Sequence, residues 1–290
     1  MIFRKAIWFA EAALAHAIYG VFALLPVDVG SGVAGWLARR IGPHISVSDV
    51  ARDNLAQAMP HLSPPEIETI VADVWENIGR VAAEFPHVGW LARNRVDVIG
   101  AEHIHALRDD GKPGIFMAAH LANWELAGAV VCREGLPITL IYRSANNPWV
   151  ESIYLRGRAD AAHGGLIPKG QQGARQAVDV LRKGGHLGML VDQKMNDGIP
   201  VPFFGRDAMT APALARFAIK YRCPVVSTQV IRLKGAHFKI VFVPVELPPL
   251  TGDTTADSTA MMTGINAMIE GWVRENPGQW LWLHRRWPKE

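Results

Sequence analysis

Cysteine is nearly absent. The 290-residue chain holds two, Cys132 and Cys223, far apart and with no CxxC pair. A disulfide framework and a cysteine-built zinc site are thereby excluded, and both thiols read as small buried hydrophobes in a reducing compartment. An excess of one charge is also missing, since 30 Lys and Arg oppose 27 Asp and Glu. Without a Lys/Arg stripe or an RNA-reading motif, nucleic acid is not an expected partner. The mildly basic pI near 8.9 suits an anionic membrane surface or an acidic partner protein. Histidines at chelating spacing are lacking too. His103 and His105 lie two apart at an expected helix start and face apart, so no metal and no other cofactor is expected. Repeats and low-complexity linkers are absent. At this length and 49% hydrophobic content, one large domain plus an N-terminal element fits better than disorder or two equal domains.

Long apolar runs are missing except for one. Ala6 to Leu25 is preceded by Arg4 and Lys5 and followed by Pro26. As a helix it would be about 30 Å long, the hydrocarbon thickness of a bilayer. Its two ionisable residues, Glu11 and His16, would point roughly 140° apart and form no single polar stripe. Three readings compete: a membrane anchor, which is favoured; a cleaved signal peptide; and a buried core helix. Ten tryptophans are many, and Trp8, Trp36, Trp272, Trp280, Trp282 and Trp287 lie near the two ends. Indoles suit membrane interfaces, with core packing as the alternative.

Three regions are expected: an anchor helix over 1–26, a helical subregion over 27–95, and an α/β domain over 96–290. In the second, helices are expected over Gly30–Ile41, Ser48–Met59 and Pro64–Leu91, the last opened by the capping pattern Ser63-Pro-Pro-Glu66. Beyond it, strands at Val96–Ile99, Gly114–Ala119, Ile138–Tyr142, Leu166–Ile167 and Leu187–Val191 alternate with helices at Asn123–Arg133, Asn147–Ala162 and Gln171–Lys183. A long loop containing an Asn196-Asp-Gly198 turn precedes a helix at Ala211–Arg222. A hairpin of Val225–Arg232 and Phe238–Val245 and a helix over Ser258–Glu275 close the chain. This rhythm predicts an α/β fold with a mostly parallel central sheet flanked by helices.

The strand Gly114–Ala119 runs into His120, with Glu125 five residues on. Ligands of open α/β sheets gather at the carboxyl ends of strands, where histidine serves as general base. With His120 in the turn before a helix, a hydrogen-bonded His120–Glu125 pair can close, the carboxylate fixing the tautomer. No serine accompanies it, so the nucleophile would belong to the substrate, as in acyl transfer to a hydroxyl.

The block Ala118-Ala-His-Leu-Ala-Asn-Trp-Glu-Leu126 resembles the His-x4-Asp/Glu block of the lysophospholipid and glycerolipid acyltransferase superfamily. Its glutamate form with Asn-Trp is similar to that of the bacterial late acyltransferases of lipid A. Ile141-Tyr-Arg-Ser-Ala-Asn-Asn-Pro148, Arg158, Gly188-Met-Leu-Val-Asp-Gln193, Phe203-Phe-Gly205 with Thr210, and Gln279 to Trp287 resemble that branch's further blocks in order. The Pro-Glu-Gly-Thr-Arg block of the glycerolipid enzymes is replaced by Val191-Asp-Gln193, against glycerol phosphate as acceptor.

The resemblance implies a glycerolipid-acyltransferase-like fold and an O-acyltransferase at the cytoplasmic face of a bacterial inner membrane. It implies acyl carrier protein as donor, a Kdo-bearing lipid A precursor as acceptor, and membrane lipids as surroundings. His120 would be the general base and Glu125 its orienting acid. Arg143, Arg156 and Arg158 would supply anion contacts, Arg158 foremost, with a surface salt bridge as its alternative. Asp192 would position Arg158 or a substrate amide, or cap a strand; Asn123 completes the substrate-binding set. His284-Arg-Arg286 suits lipid headgroups or a packed C-terminal segment. An acyltransferase for a glycolipid or ornithine lipid, a metal-assisted hydrolase and a non-catalytic membrane scaffold remain the rivals.

Overall fold

The computed structural model describes residues 2–287. Met1 and residues 288–290, the outer ends of the expected anchor and α/β regions, lie outside it. The apolar run forms α1 (Ile2–Leu24), and Pro26 separates it from α2 (Val27–Ile41). Then come α3 (Ser48–Ala58) and α4 (Pro64–Glu84), the latter opened by the expected capping box, in which the Ser63 N–H donates to Glu66 at 2.7 Å. The helix expected to run on to Leu91 stops at Glu84. Phe85–His87 form a 3-10 turn and α5 (Val88–Asn94) restarts, because Pro86 has no N–H for the ladder.

Next follow β1 (Val96–Ile99), α6 (Ala101–Asp109), β2 (Gly114–Ala118), α7 (Leu126–Arg133), β3 (Ile138–Tyr142), α8 (Glu151–Gly157), β4 (Gly165–Pro168), α9 (Gln171–Arg182) and β5 (His186–Leu190). The chain ends with β6 (Lys194–Phe203), β7 (Arg206–Thr210), α10 (Ala213–Tyr221), β8 (Val225–Arg232), β9 (Phe238–Pro244) and α11 (Thr254–Glu275). Seven strands make one sheet in the order β1-β9-β8-β2-β5-β3-β4. The run from β8 to β4 is parallel throughout; β9 returns antiparallel to β8, and β1 pairs parallel with β9. Central β2 is buried on both faces, as parallel strands covered by helices must be. Ile115 and Met117 join one core layer, Phe116 the other.

Residues 194–210 are not a loop. They form an antiparallel β6–β7 hairpin whose two-residue turn, Phe204-Gly205, has positive φ at both positions (53° and 71°). Pro200 and Pro202 disguise the strand, and they are tolerated because this two-stranded sheet leaves edges free. Asn196-Asp-Gly198 is correspondingly no turn; it lies within β6 at a register shift between Lys194 and Ile199.

Two expectations about the ends change. The C-terminal tryptophans are core residues. Trp282 is fully buried, Trp280, Trp272 and Trp287 nearly so, and Trp287 stacks on Phe203. Arg286 is buried with them, donating to Met209 O and to Thr210 Oγ1 at 2.8 Å over the Phe203 ring, out of reach of any headgroup. At the other end, only 6% of the apolar window in α1 is buried, and among the described residues no second helix is long and apolar enough to cross a membrane. Glu11 and His16 both meet the segment before and within α8. Glu11 accepts from Asn147 Nδ2 at 3.2 Å, and His16 Nε2 lies 3.1 Å from Trp149 O. The protein body itself thus partners both Glu11 and His16.

Candidate active site

His120 lies two residues past the end of β2, and Asp192 two past the end of β5. Ala118 and Leu190 are register partners in the parallel β2–β5 pair, so the two side chains emerge together. His120 Nδ1 is 2.7 Å from Asp192 Oδ1, and the His120 N–H donates to Oδ2 at 2.9 Å. The Trp280 indole N–H donates to the same Oδ2 at 2.7 Å. Burial alone would raise the Asp192 carboxyl. The charge His120 carries when protonated, its hydrogen bonds and the Trp280 bond outweigh it and hold the group at about 2. An ionised acceptor on Nδ1 requires the proton there and leaves Nε2 with its lone pair.

This corrects the expected His120–Glu125 pair: the ring's carboxylate partner is Asp192. Helix α7 starts only at Leu126, and residues 121–125 approach it through bends and a turn that aim Glu125 elsewhere. Glu125 takes both arms of Arg158, at 2.7 Å from Nε and 2.6 Å from Nη2. The pair is largely buried. The guanidinium lies over Tyr154 at 5.3 Å and Tyr142 at 5.7 Å. Burial alone would lower Arg158, but the Glu125 carboxylate raises it above its ordinary value. Glu125 also accepts from the Trp124 indole N–H at 3.2 Å, and the Trp124 ring packs edge-on to His120 with centroids 5.2 Å apart. The Glu125–Arg158 pair therefore reaches His120 through Trp124. Asp192, expected beside Arg158 or as a strand cap, instead holds His120.

The loop between is pinned from beneath. Ala122 has a positive φ of 48°, and its N–H donates to Gln279 O at 2.9 Å. Asn77 Nδ2 donates to Ala122 O at 3.0 Å. Asn123, expected to touch substrate, is buried and donates to Glu84 Oε2 at 2.8 Å. Buried Glu84 is paired with Arg232 and accepts from Ser31 Oγ at 2.7 Å. The amides of His120, Leu121 and Ala122 are all engaged within the protein.

His120 opens onto a cavity of about 850 Å³. Its inner lining is mostly apolar, with buried Phe116, Gly128, Ile138 and Gly188 and partly buried Leu140 from β2, α7, β3 and β5, beside the buried polar Glu125 and Thr228. One wall is α1 itself, through Ala15, Ile18, Tyr19 and Phe22. Arg143 and Lys169 line it from exposed positions. Lys169 is held below the ordinary lysine value by surrounding protein and by Arg143, against the pull of Asp192. Arg158 lines the cavity with its fork already filled, whereas Arg156 is outside the lining, over Tyr19 at 5.8 Å. Lys169, Trp124 and His284 were not legible as site residues. His284 lines the cavity with its Nδ1 unpaired, lowered by burial and by the His120 charge. Its place in a basic, tryptophan-flanked run pointed instead to the surface. Among the described residues, no group of three or more His, Cys, Asp or Glu side chains is placed to hold a metal ion.

A family model described as bacterial lipid A biosynthesis acyltransferase matches residues 3–289. A lipid A biosynthesis acyltransferase of Haemophilus influenzae is 28% identical over 246 residues, 80% of this chain and 73% of the relative. A lipid A biosynthesis palmitoleoyltransferase of Escherichia coli is 24% identical over 278 residues, 92% and 85% of the two chains. A lauroyltransferase of the same pathway and organism is 26% identical over 248 residues, 82% and 78%.

Proposed function

Because the chain belongs to the bacterial lipid A biosynthesis acyltransferase family, we propose that it moves a fatty acyl chain from an acyl carrier protein thioester to a hydroxyl of a Kdo-bearing lipid A precursor, with His120 as general base. The observation that carries the chemistry is the His120–Asp192 pair at the edge of the apolar cavity. Nε2 takes the hydroxyl proton as the oxygen attacks the thioester carbonyl. Asp192 keeps the tautomer fixed and stabilises the imidazolium as it forms. The tetrahedral intermediate collapses with loss of the carrier thiolate, to which the imidazolium returns the proton. The amides of residues 120–122 are committed to the fold, which leaves those of Trp124 and Glu125, both in the cavity lining, as the oxyanion donors of this scheme.

Glu125 is a positioning residue in this scheme, holding Arg158 and the Trp124 edge against the base. The buried apolar part of the cavity suits the acyl chain, and Arg143 with Lys169 at exposed positions suits phosphate of the acceptor or acidic groups of the carrier. The chain is placed at the cytoplasmic face of the inner membrane with α1 as anchor. That reading is supported by the exposure of α1 and by its contribution of a cavity wall, which puts the site within reach of a lipid substrate.

The test is acyl transfer by the full chain in proteoliposomes, with acyl carrier protein thioester and a Kdo-bearing precursor, read by mass spectrometry of the lipid. A precursor heavier by one acyl chain, with none formed by His120→Ala, is expected. Wild-type turnover by His120→Ala would overturn the mechanism. Transfer to a glycolipid or ornithine lipid alone would overturn the acceptor.

A further inference from the structure

Helix α2 is packed inside out for a helix in water. Toward α4 it turns its small residues. A Cβ on Gly35 would fall 2.8 Å from Arg80 Cγ, and one on Gly79 of α4 would fall 2.4 Å from Ala34 O and 2.6 Å from Ala38 Cβ. Ser31 on the same side reaches Glu84. Away from the body it turns its large apolar residues. Val29, Val33, Trp36, Leu37 and Ile41 are each 43–59% exposed. With Arg40 they fall within roughly 140° of helix circumference at 100° per residue. In water the hydrophobic effect sorts residues the other way. Small residues inward and large apolar ones outward is the arrangement of a helix whose outer surroundings are lipid.

Two observations say what covers this face. It follows α1 after only Leu25 and Pro26, and Phe22 of α1 and Leu25 of that link lie 3.5 and 3.8 Å from where a Gly30 Cβ would sit. Its charge is also of one kind. The Arg40 guanidinium lies over Trp36 at 4.9 Å, while the helix's one acid, Asp28, is taken by Arg95 at 3.0 Å. A tryptophan with an arginine beside an apolar stripe matches the headgroup boundary of an anionic bilayer.

The geometry points to α2 as a second membrane-contacting element, lying in the bilayer interface with Val29, Val33, Trp36, Leu37 and Ile41 immersed and Arg40 at the phosphates. The inference rests on the reading of α1 as the anchor. Two helices joined at Pro26 would then fix the orientation of the body, and α1, as a cavity wall, would bring the cavity to the bilayer surface.

Spin-label accessibility on the full-length chain in phosphatidylethanolamine–phosphatidylglycerol vesicles tests this. Val33→Cys carries the label, with Val21→Cys on α1 and Lys234→Cys on the β8–β9 turn as references; native Cys132 and Cys223 are buried. The ratio of oxygen to nickel-chelate accessibility at Val33→Cys is expected to match that at Val21→Cys within about twofold, far above Lys234→Cys. A water-like ratio at Val33→Cys alone overturns the inference and leaves the anchor standing. A water-like ratio at both overturns the two together. Low access to both reagents with spin–spin broadening would mean that a second copy covers α2, and would overturn it as well.

Discussion

At the residue scale, Asp192 bears the most consequence. His120→Ala should lower the transfer rate by about 10²- to 10⁴-fold, the range of general base catalysis. Asp192→Asn should come close to it, because an amide no longer enforces the Nδ1–H tautomer. Initial rates at saturating donor check both. Asp192 also links stability to pH. Its folded value, about 2, lies below the ordinary 3.8, so its contribution is complete above pH 4 and is lost as pH falls toward 2. The displacement corresponds to about 2 kcal/mol. Wild type should therefore lose about that much more stability than Asp192→Asn between pH 5 and pH 2 by denaturant titration in detergent. Equal losses would mean that Asp192 is not ionised in the fold.

The Glu125–Arg158 pair gives a second prediction of this size. Breaking one side of a largely buried ion pair leaves a charge without its partner, at a cost of about 3–5 kcal/mol. Glu125→Gln should therefore be harsh, and Glu125→Gln with Arg158→Met milder than the sum of the two single changes. A double-mutant cycle reads the coupling, and additivity would remove the pair from the positioning scheme.

At the scale of elements, the turn from β2 into α7 is held by a buried scaffold rather than by propensity. Ala122 sits at φ 48°, where a β-branched side chain is strained. Ala122→Gly should be neutral or stabilise by up to about 1 kcal/mol. Ala122→Val should destabilise by about 2 kcal/mol and lower the rate further by moving His120. Thermal melts with parallel rate measurements separate the two effects. Glu84 holds the same turn through Asn123 and is paired with Arg232. Glu84→Gln should cost stability on the scale of a broken buried pair, although Glu84 is fully buried and outside the cavity lining.

At the scale of the whole molecule, α1 serves both as an exposed apolar helix and as a wall of the cavity. Deleting residues 2–25 should move the protein from the membrane to the soluble or aggregated fraction. It should also weaken acyl transfer when short-chain donor and acceptor are supplied in detergent, since Ile18, Tyr19 and Phe22 leave the cavity. Sedimentation and a detergent assay separate the two. A truncated chain with full activity in detergent would make α1 an anchor alone.

The sequence by itself determined what local chemistry and periodicity can carry. The buried strands at Gly114 and Ile138, the capping box at Ser63 and the βαβ rhythm follow from side-chain pattern, and each is present in the fold. So is His120 at a strand end, because a strand that runs out into a turn is visible in one stretch of chain. The partner of His120 was not determined there. It depends on β5 lying beside β2 in a register that pairs Ala118 with Leu190, across 72 residues of chain. The same holds for Trp280, Trp282 and Arg286: interface and core make the same demands on an indole or a guanidinium locally, and only long-range packing against Phe203, Phe204 and Thr210 decides between them. Glu125, five residues from His120, looked like its partner because proximity in sequence was the only distance available. The tertiary structure gave that carboxylate to Arg158, since residues 121–125 bend and turn before α7 and a doubly bonded, largely buried guanidinium satisfies both of its oxygens.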